Sequence, residues 1–219
     1  MKKKKIIKPI VFIIIIGLFV KIMPFASKYN IKIKFSIYRS IMCCFFVIKS
    51  IIYLLNTSNI LKNAFIQQPY LIPLLFKFCT YISFDIIYTL SQTKKRYDLL
   101  FHHIIILIII IVAYKNKCIG NILPILLLNE SISIVSGFDT VAMNNNKIKE
   151  SIVFKKIRKM VIFLIRLPLW LLFINLILKN EKFDSKFKIL LVTITISILG
   201  LDLYWYKKCS HFIYKNRSS

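Results

Sequence analysis

An all-α membrane protein of about seven transmembrane helices is the fold class this 219-residue chain predicts, on three observations. Its residues are 58% hydrophobic with a mean hydropathy of +0.69, against roughly 45–50% apolar usage in soluble domains. The apolar residues fall into runs close to the ~20 residues that cross ~30 Å of hydrocarbon, and the charges gather mainly in the breaks. The runs lack the period-2 alternation of barrel strands, and only helices or closed barrels cross lipid with every backbone group satisfied.

In chain order the runs lie at 9–25, 36–56, 71–92, 97–114, 119–138, 157–178 and 189–206. The first can be read in two ways. Met1 with the four lysines after it, then Ile10 to Val20 and the pair Ala26 and Ser27, also resembles a signal peptide, whose removal would leave six spans. Lys21 and Pro24 interrupt the approach to a cleavage site and favour an uncleaved helix. The expected organisation is a basic segment with the first helix over 1–35, a six-helix membrane domain over 36–215 and a short tail at 216–219.

The formal charge of +25, from 33 Lys and Arg against 8 Asp and Glu, would suggest nucleic acid in a soluble protein. Beside bilayer-length runs, cations instead contact lipid headgroups and set topology, so no nucleic-acid partner is expected. The abundance of Ile, Lys and Asn also fits an AT-rich coding sequence, which discounts the charge further. The side of the membrane holding the loops after spans two, four and six is the poorer in Lys and Arg. The richer side, with the C-terminus, is predicted to be cytosolic. The sequon Asn56-Thr57-Ser58 then falls on the luminal side, near the bilayer.

Cys43, Cys44, Cys79, Cys118 and Cys209 show no CxxC spacing and read as small buried hydrophobes. No histidine has a partner ligand at i+3 or i+4, so no metal site is expected. Neither a Gly-rich phosphate loop nor a catalytic motif of soluble enzymes is present.

Ionisable residues inside the runs are the candidate functional set, because a charge near the bilayer centre costs roughly 2.5–3.5 kcal/mol on insertion scales. Asp85 falls in span three, Glu130 in span five, Lys49 in span two and Arg166 in span six. One reading is mutual neutralisation, with Lys77 added, to hold helices together. That does not account for His102 and His103, side by side in span four. Adjacent helical residues point ~100° apart, so one ring can face a cavity while the other packs or orients. Asp98 precedes His102 by four residues and shares its face, where it could set the imidazole tautomer. It could equally be the N-cap of the span.

The order of these residues resembles the TLC domain shared by ceramide synthases and TLC-domain-containing proteins. The likeness runs over about residues 36–215: Tyr81-Ile-Ser-Phe-Asp85, Lys94-Lys-Arg96, Asp98-Leu-Leu-Phe-His102-His103, Cys118-Ile-Gly-Asn121, Asn129-Glu130-Ser131, Arg166-Leu-Pro168, Leu201-Asp-Leu-Tyr-Trp205 and Lys208. The resemblance implies six helices in a barrel around a lipid-accessible cavity, with a further helix outside it. It implies His102, His103, Asp98 and Glu130 as catalytic candidates, and Asp85, Ser131, Arg166 and Trp205 as lipid-binding ones.

In ceramide synthases the paired histidines serve acyl transfer from CoA to a sphingoid amine. A histidine suits this work as nucleophile or proton acceptor. The synthases carry a His-Asp pair in span five with a second acid three residues after the first. This chain has Asn129, Glu130 and Ser133 there, which looks more like the smaller TLC-domain-containing branch. The expectation is a lipid-binding or lipid-regulating protein of an internal, ER-like membrane. The alternative is an N-acyltransferase with acyl-CoA as co-substrate and a long-chain base as acceptor. No resident cofactor is expected in either case.

Overall fold

The computed structural model describes residues 30–93 and 96–216. The expected first span, 9–25, lies outside them, as do Lys94 and Lys95 of the turn before the histidines. Six helical stretches among the described residues are long and apolar enough to cross a membrane: Ile31–Leu55, Pro69–Ser91, Tyr97–Lys115, Ile122–Asn144, Ile148–Lys179 and Ser185–Lys215. No strand occurs among the described residues.

Within the spans several ionisable side chains are enclosed while large apolar ones are exposed. Asp85 is 0% exposed while Ile87, two residues on, is 65% exposed. Arg166 is 0% exposed, and Phe163 and Leu164 just before it are 62% and 61% exposed. Continuous exposed apolar surface over enclosed charge is the pattern a hydrocarbon solvent selects.

Helix boundaries follow local capping chemistry. Helix α1 (Ile31–Leu55) starts at Asn30, whose Oδ1 accepts the Ile33 N–H at 3.1 Å, and stops at Asn56, whose Nδ2 donates to the Ile52 carbonyl at 2.7 Å. A 3₁₀ turn at Pro69–Leu71 leads into α2 (Ile72–Ser91), with Pro73 in its first turn, where a missing N–H costs nothing. Helix α3 (Tyr97–Lys115) has Asp98 in its first turn and Lys115 in its last, matching the helix dipole. Asn59, Lys117 and Asn146 hold φ near +55° at helix exits. Asn tolerates that left-handed conformation; Lys is strained by it.

The expected run at 119–138 proves to be two helices, α4 (Ile122–Leu127) and α5 (Ser131–Asn144), joined by a 3₁₀ turn at Leu128–Glu130. The run at 157–178 extends backward through a charged segment. It comprises α6 (Ile148–Val161), a π turn at Ile162–Arg166 and α7 (Leu167–Lys179). Pro168 lacks the N–H that an α-helix would donate to the Leu164 carbonyl, a local cause for the widened turn. Helix α8 (Ser185–Lys215) is 31 residues, about 46 Å at 1.5 Å per residue, so it outruns the hydrocarbon that the 189–206 run was expected to match. Hydropathy marks only the apolar portion of a helix, and the basic ends lie beyond it.

The described residues fall into two compact units. In the first, Thr57–Leu123 with Phe173–Leu201, α2 packs on α3 and the 57–68 connection is strapped to the turn before α4. The buried α2 residues Leu75, Phe78, Ile82, Asp85 and Thr89 form one stripe at three- and four-residue spacing. In the second, 30–56, 124–172 and 202–216, α5 packs between α1 and α6. Gly137 makes the α1 crossing possible: a Cβ there would lie 2.9 Å from that of Ser40 and 3.2 Å from the Ser36 carbonyl oxygen. Small residues at such crossings let membrane helices approach closely.

Candidate functional site

The first unit encloses an acid beside a histidine pair. Asp85 on α2 and His103 on α3 face each other across that helix contact, with Oδ2 and Nδ1 3.0 Å apart. They are 0% and 2% exposed. The nitrogen is within hydrogen-bonding distance of the carboxylate but is not aligned as a hydrogen bond. His102 is also buried, its ring centroid 5.4 Å from that of His103 and the planes 48° apart. With a proton on Nδ1 toward Asp85, the Nε2 of His103 is left as an acceptor.

Asp98, at the start of α3, accepts from Arg96, whose Nη2 and Nε donate to its two oxygens at 2.7 and 3.2 Å. Asp85, expected among the lipid-binding residues, is the acid that reaches His103.

The second unit holds a larger polar network. Arg166, at the end of the π turn, places Nε 2.9 and 3.0 Å from the two oxygens of Asp202 on α8. The Trp170 indole N–H donates to Asp202 Oδ2 at 3.0 Å, and Arg166 Nη1 donates to the Asn129 carbonyl. That carbonyl sits in the 3₁₀ turn, where the regular i+4 ladder is interrupted. Trp205 lies against the guanidinium, its ring centroid 5.7 Å from Cζ. Arg166 thus gathers Trp205, Asp202 and the Asn129 carbonyl, with Trp170 on the far oxygen of Asp202.

Glu130 accepts from Ser133 Oγ at 3.3 Å and Cys43 Sγ at 3.5 Å. Ser133 is therefore a donor to Glu130. Ser131 Oγ and both polar atoms of the Asn129 side chain are buried with no hydrogen-bond partner among the described residues. Nearer the ends of the same unit, Asp139 accepts from Ser151 Oγ and from Lys155 at 2.6 and 2.8 Å, with Arg158 at 3.5 Å.

Sequence reasoning left out Asp202, Asp139, Trp170 and Cys43. For Asp202 the signal was present, a lone acid in an apolar run of the kind that singled out Asp85. Trp170 and Cys43 are ordinary apolar residues by type, and only their neighbours give them a polar role. Lys49 is exposed and Lys77 half-buried, and in the second unit Arg166 faces the buried Asp202 while Lys155 and Arg158 face the buried Asp139. Cys43, Cys118 and Cys209 are buried, and burial pushes the loop thiol Cys118 up from its ordinary range. Among the described residues no group of three or more His, Cys, Asp or Glu is placed to hold a metal.

Six apolar helices enclosing buried ionisable pairs have the makings of a multi-pass integral membrane protein. No family model matches the chain, and no curated protein or solved structure matches it either.

Proposed function

We propose that this is a lipid-handling multi-pass membrane protein in which Asp85, His102 and His103 meet the polar head of a lipid inside the bilayer. One observation carries the reading: three ionisable side chains lie buried within apolar spans, with His103 Nδ1 3.0 Å from Asp85 Oδ2. Each costs energy to insert, and a pair that only cancels charge needs no second histidine. The ordered likeness to the TLC domain supports the same reading, and with it a six-helix barrel, an internal ER-like membrane and a cytosolic C-terminus.

The test is the lipid that travels with the protein. Chain purified in mild detergent should retain one lipid class enriched over the host membrane by mass spectrometry, and monodisperse Asp85→Ala and His103→Ala variants should lose the enrichment. Wild-type lipid indistinguishable from the bulk extract would defeat the proposal.

The Asp85 and His103 contact also favours a second reading, acyl-CoA-dependent N-acylation of a long-chain base. An imidazole oriented by a carboxylate can take the amine proton as nitrogen attacks the thioester carbonyl and CoA thiolate departs. A His102→Ala, His103→Ala double variant should then form no N-acyl product in a host lacking the activity; product equal to wild type would end this reading.

A further inference from the structure

Apart from the buried histidines, the first unit carries a cavity of about 740 Å³, within the roughly 300–1,000 Å³ of ligand pockets. Three connections line it: 57–68, 116–121 and 180–184, together with the adjoining helix ends. Backbone bonds strap the first two together, Gln68 N–H to the Ile119 carbonyl at 2.9 Å and Ile122 N–H to the Ala64 carbonyl at 3.0 Å. Phe65 ties in the third through Phe183, ring centroids 4.9 Å apart. These connections follow the first, third and fifth described spans, so chain alternation sets all three on one side of the bilayer, at the depth of headgroups.

The lining is amphipathic. Phe65, Phe183, Phe187 and Leu176 give it apolar wall, and Lys62, Lys117, Lys179 and Lys182 give it four ammonium groups. Among the described residues none of these four lysines pairs with a carboxylate. Glu181 and Asp184 also line the cavity, leaving an excess of cations. Asp184 is engaged as the cap of α8, its Oδ1 accepting the Phe187 N–H at 2.6 Å. A phosphomonoester, with a charge of about −1.5 to −2 at neutral pH, matches that excess, and lysine binds phosphate as a point charge without needing fork geometry.

We propose that this cavity binds a phosphate-bearing amphiphile, with its phosphate among Lys62, Lys117, Lys179 and Lys182 and its first carbons against Phe65, Phe183 and Phe187. The recognised chemistry is the phosphate, which a lipid headgroup or free phosphate could supply. The aromatic wall adds affinity only for the lipid.

The full chain in neutral detergent is titrated calorimetrically with dioctanoyl phosphatidate, dioctanoylglycerol and inorganic phosphate. Phosphatidate should bind saturably, and dioctanoylglycerol at least about tenfold more weakly, since it lacks the charge. Inorganic phosphate binding as tightly as phosphatidate would keep the phosphate site and identify free phosphate as its source. Combining Lys62→Ala with Lys182→Ala should weaken phosphatidate about 25-fold, at about fivefold per lysine beside an anionic group. Lys117→Asn suits the left-handed backbone at φ 52° and should remove about another fivefold while the fold is kept. If the alanine pair fails to elute as a monodisperse species, Lys62→Gln with Lys182→Gln is read in the same way. No saturable binding of either phosphate compound, equal binding of dioctanoylglycerol, or unchanged affinity in the lysine variants would overturn the proposal.

Discussion

A guanidinium that is 0% exposed and a carboxylate that is 2% exposed can stay ionised only by satisfying each other, which makes Arg166 and Asp202 the sharpest residue-scale test of the second unit. Removing one partner leaves a buried charge uncompensated, at about 3–5 kcal/mol, while replacing both with apolar residues of similar volume is often near neutral. Asp202→Leu should therefore lower stability by about that amount in detergent unfolding, and Arg166→Met added to it should recover most of the loss. A double variant as unstable as the single one would show that Trp170 and the Asn129 carbonyl, which also meet this pair, hold it for another reason. Arg166 was legible in the sequence as a cation in an apolar run. Its pairing with Asp202 was not, because 36 residues separate them and no periodicity spans two helices.

Elements are joined in the first unit by a turn that only glycine can occupy. A Cβ at Gly120 would sit 2.5 Å from the Ala64 carbonyl oxygen and 2.6 Å from those of Asn63 and Ile66. These are backbone atoms, and the Asn63 and Ala64 carbonyls already accept the Asn121 and Ile122 N–H groups, so they have little room to move. Gly120→Ala should cost about 1–3 kcal/mol, as overpacking does, and should open the 57–68 connection to protease. Gly200, in the middle of α8, meets nothing within 4 Å, and Gly200→Ala should be neutral or stabilising by up to ~1 kcal/mol. Equal effects at the two sites would refute this contrast. Sequence pattern separates the two glycines poorly. It places both in apolar runs, Gly120 in 119–138 and Gly200 in 189–206, and the carbonyls around Gly120 come from another connection.

For the whole molecule, six spans require that single cysteines at positions 62, 117 and 182 label from one side of a sealed vesicle and cysteines at 147 and 216 from the other. Labelling of 117 and 147 from the same side would remove a span from the count. That the chain is helical, crosses the membrane several times and keeps a few ionisable residues within its spans was determined by the sequence alone. Hydrocarbon leaves backbone groups no partner but their own helix, and it penalises every charge it touches, so run length and charge placement are direct evidence. Only the tertiary structure decided that Asp85 reaches His103, that Asp202 holds Arg166, and that lysines from three connections share one cavity. Those pairings depend on how each helix is rotated about its axis and where it crosses its neighbour, and apolar side chains spread around most of a membrane helix leave that rotation unmarked.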